Sequence, residues 1–354
     1  MNTMREPKRS KIIALSVSPV LFIALSAQAP PIGKTHRLEA TPTTIAYGYY
    51  DAAAKPVLRI ASGDVIDVDT VLTNTPDRLE RAGVKPEDIQ ASLRAIEANV
   101  KDRGPGGHVL TGPVYVEGAE PGDALEVRIL SIDLAIPYGY NGCRGFIPEN
   151  CRQGAQVHLM PFDRKRMTAT FAPGIVIPLR PFFGSMGVAP PPSAGRIHSA
   201  PPWIHAGNLD NRELVAGTTL FIPVHAPGAL FEVGDGHAAQ GDGEVDLTAV
   251  ETSLRGRLQL IVRKKMTLAW PRAETATDYI SMGSDEDLTK ATRIAVQEMV
   301  DFLVATKGLD KHAAYQLCSI AGNLAITQLV DGKVGVHMKM PKSIFTGSGS
   351  SRIK

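Results

Sequence analysis

Between Asn208 and Glu244 the chain sets Asp210, Glu213, His225, Asp235, His237, Gln240, Asp242 and Glu244 among closely spaced glycines. Carboxylates and imidazoles supply metal ligands or acid–base groups, and glycine lets the backbone turn sharply and approach a ligand. Asp235 and His237 are two apart, so on an extended segment both side chains would share one face. With Asp210 they could hold a divalent cation and lower the pKa of a bound water. The same residues also suit acidic β-turns, in which Asp235 caps a turn and His237 is an ordinary loop histidine. Spacing alone leaves both readings open.

Gln240 and Glu244 close this stretch. A glutamate beside a polarised carbonyl can act as general base, and a side-chain amide can donate to an oxyanion. His108 lies earlier, on a loop carrying Gly104, Gly106 and Gly107, at the entrance to an apolar run where a proton shuttle or further ligand could stand. No Gly-x-Ser-x-Gly elbow, P-loop or dinucleotide fingerprint in a βαβ setting is present, which argues against a serine hydrolase, a kinase or a nicotinamide enzyme.

Elements to position these groups can be read from periodicity. Residues 57–72 alternate around Ser62-Gly63-Asp64 and predict a hairpin; residues 108–132, turning at Glu120-Pro-Gly-Asp123, predict a second. Residues 86–100 carry Ile89, Leu93, Ile96 and Val100 at helical spacing. Residues 137–205 are loop-dominated and proline-rich, with a short strand pair over 167–178. Further strands are expected over 215–224, 243–252 and 258–266, the last two forming one hairpin. Only the final quarter is convincingly helical. Ser284 and Asp287 open one helix and Gly308 ends it; Asp310 opens another carrying Leu317, Ala321, Leu324 and Ile326, and a strand follows over 334–338.

Composition agrees with a β-rich protein: 33 glycines and 26 prolines set against 6% aromatic residues favour many turns. With 38 basic and 36 acidic side chains spread along the chain, there is no electrostatic footprint for nucleic acid. Arg5, Lys8, Arg9 and Lys11 precede an apolar run from Ile12 to about Leu25, and Ala27-Gln28-Ala29 offers a cleavage site. Residues 1–29 therefore read as an export leader, too short for a comfortable span and leaving no membrane anchor after cleavage. The expected location is periplasmic or secreted. Three cysteines make an odd count: Cys143 and Cys151 are close enough to bridge a loop, and Cys318 falls in a helical pattern.

Several long motifs stand in order: His108-Val-Leu-Thr-Gly-Pro, Gly207-Asn-Leu-Asp-Asn-Arg-Glu-Leu, Gly217-Thr-Thr-Leu-Phe-Ile-Pro-Val, Gly234-Asp-Gly-His-Ala-Ala-Gln-Gly-Asp-Gly-Glu, Asp278-Tyr-Ile-Ser-Met-Gly and Pro341-Lys-Ser-Ile-Phe. Together they resemble the acetamidase/formamidase family over nearly all of the chain after the leader. The resemblance implies a mostly-β fold, sandwich- or barrel-like, with a small α/β C-terminal portion. Residues 30–345 would form the catalytic region (a β-rich part 30–270 and an α/β part 271–345), followed by a tail over 346–354. It implies hydrolysis of short linear amides to carboxylate and ammonia with a divalent metal, zinc first and calcium second. Asp210, Asp235 and His237 carry over as metal ligands; His108, Asn208, Gln240 and Glu244 carry over as residues lining the site. A homodimer is a further expectation, from the many edge strands. Residues 138–152, with their two cysteines, and the leader depart from the family pattern and leave the amide open. Two rivals stand beside this reading: an exported amide-binding module with a structural calcium, and an enzyme using Cys143 or Cys151 as nucleophile.

Overall fold

Short runs of branched and aromatic residues, cut by glycine and proline, fold as two large β-sheets in the computed structural model, which describes residues 32–154 and 157–346. The expected leader, and the tail beyond residue 346, lie outside the described residues. The first sheet has nine strands, in the order Thr35–Leu38, Val65–Asp69, Leu254–Arg263, Ala124–Leu134, Thr219–Pro223, Arg272–Glu274, Asp278–Asp285, Val334–Pro341 and Asn323–Gln328. The second has eleven strands and is organised around Phe231–His237. The largest apolar cluster takes Val114, Phe231 and Val233 from the second sheet and Val127, Ile222 and Leu258 from the first, so the core lies between two packed layers. The fold is mostly β, as expected.

That layering overturns both expected hairpins. Leu58–Ile60 pairs in parallel with Val109–Val116 in the second sheet, whereas Val65–Asp69 pairs with Leu254–Arg263 in the first. Val109–Val116 and Ala124–Leu134 likewise belong to different sheets. Each sharp turn carries the chain across the sandwich instead of back along itself, a choice that alternation and turn residues do not encode. The expected hairpin over 243–266 is also absent: most of 243–250 is irregular, and Leu254–Arg263 pairs with Val65–Asp69 and Ala124–Leu134. Thr168–Ala172 and Ile175–Pro178 do form the expected antiparallel pair.

Four α-helices stand among the described residues: α1 (Pro76–Arg81), α2 (Ala91–Asn99), α3 (Leu288–Lys307) and α4 (Lys311–Ala321). The Asp287 carboxylate accepts from the Lys290 N–H to open α3, and Gly308, at φ 69°, ends it in the left-handed region. Ser284 takes no part in the cap, because its hydroxyl donates to the Pro202 carbonyl. Asp310 opens α4 by accepting from the Ala313 N–H. Leu324 and Ile326 belong to the strand Asn323–Gln328 rather than to this helix, since Gly322 breaks the helical run. No helix among the described residues is long and apolar enough to cross a membrane.

Candidate active site

Phe231–His237 is buried along its whole length, and its pairing explains the site. One flank pairs throughout with Phe182–Gly187. The other changes partner: Phe231, Val233 and Gly234 pair with Val109–Val116, while Gly236 and His237 pair with Glu251–Thr252. Asp235 stands at the change, at φ 55°. The sequence expectation of an extended Asp235 therefore fails locally, yet the carboxylate still meets its neighbour: His237 Nε2 lies 3.2 Å from Asp235 Oδ2. Asp210 and Glu244 also take left-handed backbone, at φ 48° and 42°. Three charged side chains thus share a conformation that costs a non-glycine residue on the order of 1–3 kcal/mol and that gathers at functional sites.

These groups converge on His237. Its Nε2 lies 3.4 Å from Glu251 Oε1 and 4.0 Å from Glu244 Oε1, and its Nδ1 lies 3.9 Å from Asp210 Oδ1. The Gln240 amide N–H donates to the Asp210 carbonyl (2.8 Å), which turns its oxygen toward His237 Nδ1 at 2.9 Å. Nδ1 therefore carries a hydrogen, and Nε2 is the nitrogen left to face the carboxylates. Asn208 is equally committed. Its oxygen accepts from Ser185 Oγ (2.6 Å) and its N–H group donates to Asp210 Oδ2 (2.7 Å) and Asp331 Oδ2 (3.2 Å). Both amides expected as oxyanion donors are thus spent as struts. His108 borders the cluster with Nε2 at 3.8 Å from Asp235 Oδ2, held by Ser199 Oγ at Nδ1 (3.0 Å).

Two further acids were not anticipated from sequence. Glu251 sits directly opposite His237 in the strand ladder, and Asp331 reaches Asn208 from the turn before the last strand. Both depend on long-range pairing; only the presence of an acid inside a strand-like run at Glu251 was readable beforehand. Asp235, His237, Glu244, Glu251, Asp331, Asn208 and His108 line one cavity of about 680 Å³.

Four buried carboxylates, with the half-buried Asp331, around two imidazoles cannot all be ionised without compensation. Burial, then the charges of Glu244 and Asp331, push the Asp210 carboxyl well above the usual range. Burial also lifts Glu244 well up and takes Glu251 to about 8, against the opposing pull of His237. For Asp235, burial is outweighed by the positive charges of His237 and His108 and by hydrogen bonds from His237 and Thr73, which hold its carboxyl well below the usual range. Burial would lower the His237 pKa, but Glu251 and Asp235 lift it well above its ordinary value. Asp210 Oδ1 and Glu244 Oε2 are buried with no hydrogen-bond partner among the described residues. A Cβ on Gly184 would come within 2.6 Å of both Asp210 Oδ1 and Asp235 Oδ2, so only glycine leaves that space open.

Buried oxygens without partners, facing a fixed imidazole nitrogen, suit a cation. Two overlapping sets have the necessary convergence, Asp210–His237–Glu244 and Asp235–His237–Glu251. The expected trio of Asp210, Asp235 and His237 is thereby distributed over two sets that share His237, each completed by a glutamate.

The acetamidase/formamidase family model matches residues 63–198 and 193–347. The chain belongs to the acetamidase/formamidase family. The solved structure of an acetamidase from Bacillus halodurans superposes with a TM-score of 0.74 at 29% identity, covering 88% of this chain and 98% of that one. An acetamidase structure from Yersinia enterocolitica gives a TM-score of 0.74 at 28% identity, over 91% and 96%. In sequence, the chain is 26% identical over 201 residues to the acetamidase of Mycolicibacterium smegmatis, a match taking in 39% of this chain and 49% of the other. The chain spans about half the length of the curated relatives it matches.

Within this acetamidase/formamidase-like chain the cysteines do not supply a nucleophile. Cys143 and Cys151 are joined in a disulfide, and Cys318 is buried, its thiol pushed up to about 11 by burial.

Proposed function

We propose that the chain hydrolyses the C–N bond of short linear amides to carboxylate and ammonia at the cluster around His237. Membership of the acetamidase/formamidase family supports the reaction class, and the two carboxylate–histidine sets that share His237 support the place. A divalent cation held by Asp210, Asp235, His237, Glu244 and Glu251 would supply Lewis acidity and lower the pKa of water there. The imidazole donor favours zinc over calcium, which prefers oxygen ligands throughout.

The side chains have separable tasks. Gln240 keeps the hydrogen on His237 Nδ1 and so presents Nε2 to the site. Asn208 holds Asp210 and Asp331 together against their mutual repulsion. Glu244 keeps one oxygen free in the buried site and serves as the base that accepts a proton from water. His108, at the cavity wall, is placed to return a proton to the leaving nitrogen.

We further propose export to an oxidising compartment. The leader-like residues 1–29 and the Cys143–Cys151 disulfide both support that reading.

Ammonia release from formamide, acetamide, propionamide and urea, measured before and after treatment with a chelator, tests the function. Release from a short amide that the chelator abolishes is the expected result. Binding of amides without release of ammonia, with cation present, would favour the non-catalytic module.

A further inference from the structure

The cavity is larger than a one- or two-carbon amide needs; about 680 Å³ falls in the range of sites that hold much bigger ligands. Its floor is acidic, as described, but its rim is not. Arg78 on α1, Arg144 within the loop closed by the disulfide and Arg152 directly after it all line the same cavity. None of the three guanidinium groups has an ion pair or a side-chain hydrogen bond among the described residues. Asn74, four residues before Arg78, also lines the cavity, with its Nδ2 buried beside Tyr140.

The placement of Arg144 and Arg152 is constrained by the disulfide and, for Arg144, by backbone bonds. Each directly follows a bridged half-cystine, Cys143 or Cys151. The loop is docked on the segment that carries Glu244: Arg144 N–H donates to the Asp246 carbonyl (3.0 Å) and Phe146 N–H to the Val245 carbonyl (2.7 Å). Gly145, at φ 51°, allows this approach, since a Cβ there would lie 2.2 Å from the Val245 oxygen. Loose surface arginines are ordinarily just solvated; here three of them, with a buried amide donor, line one cavity.

We propose that Asn74, Arg78, Arg144 and Arg152 form a recognition rim for a carboxylate on the substrate, so that the preferred amide is the monoamide of a dicarboxylic acid. This rests on the amidase reading of the floor. The guanidinium groups hold the carboxylate at the rim, and the neutral amide end is left to reach the floor.

The test compares kcat/KM for succinamate, its neutral analogue butyramide and the cationic 3-aminopropanamide, with wild-type protein and the double variant Arg144→Gln/Arg152→Gln. Succinamate is expected to be favoured over butyramide by about tenfold or more at low salt, with the preference shrinking as salt rises. The double variant should bring the succinamate-to-butyramide ratio down by about tenfold. Butyramide hydrolysed as well as succinamate, or a ratio that the double variant leaves unchanged, overturns the proposal. If no amide releases ammonia, calorimetric binding separates the two readings. Succinamate bound by wild type and weakened in the double variant keeps the rim and places the failure in the amidase reading; equal binding by both proteins overturns the rim.

Discussion

At the residue scale, the site depends on groups that are costly to bury and are held in place by neutral amides. Replacing Asp235 by Asn removes the carboxylate that lies nearest His237 Nε2 and is held most firmly in its ionised form. We expect kcat/KM for a short amide to fall by more than about a hundredfold and cation binding to be lost. An unchanged kcat/KM would remove Asp235 from the chemistry. Gln240→Ala should act more mildly, because it frees the His237 ring without removing a ligand: cation affinity read by calorimetry is expected to drop about tenfold to a hundredfold. The individual groups were largely legible in advance, since Asp210, Asp235, His237, Gln240 and Glu244 stand among glycines in one stretch. What they do was less legible. Whether Asn208 and Gln240 offer donors to a substrate or to neighbouring residues depends on where Ser185, Asp331 and the Asp210 carbonyl lie.

At the element scale, one strand carries the design. Phe231–His237 changes partners at Asp235, and the opposite strand contributes Gly184 where a side chain would fill the space between two carboxylates. Gly184→Ala is expected to abolish cation binding and turnover together, as measured by metal titration and ammonia release; retained turnover would show that the gap is not used. The helix caps provide the contrast. Asp287→Ala removes the bond to the Lys290 N–H, at a residue that does not line the cavity, and should lower stability by about 1 kcal/mol in denaturant unfolding with kcat unaltered. Helix ends were readable from Asp287, Gly308 and Asp310 because capping is local chemistry. The hairpins were not, because turns at 61–64 and 117–123 look alike whether the chain folds back or crosses to the other sheet. Glu251 was missed for the same reason: it becomes a neighbour of His237 only through strand pairing.

At the scale of the whole molecule, buried charge ties stability to pH and to cation. Burial, with nearby His225 and Lys333, lowers the His205 pKa from 6.5 to about 3, and both of its ring nitrogens are buried without partners. The unfolded chain therefore binds a proton that the folded chain refuses between those values. The stability present above pH 6.5 is lost progressively as pH falls toward about 3. Denaturant unfolding across that window should show the loss, and His205→Phe should flatten part of it; an unchanged slope in the variant would assign the loss to other groups. On the proposal that the folded cluster holds a cation for which the unfolded chain assembles no site, added cation should raise Tm in a concentration-dependent way.

The most direct test of the central claim is ammonia release from acetamide by chelator-treated protein as zinc, and separately calcium, is titrated back, with Asp235→Asn measured in parallel. Release is expected to return with about one equivalent or more of zinc in the wild type and to stay absent in the variant. Full release from the chelated protein, or equal recovery in the variant, would contradict a cation-dependent site at His237.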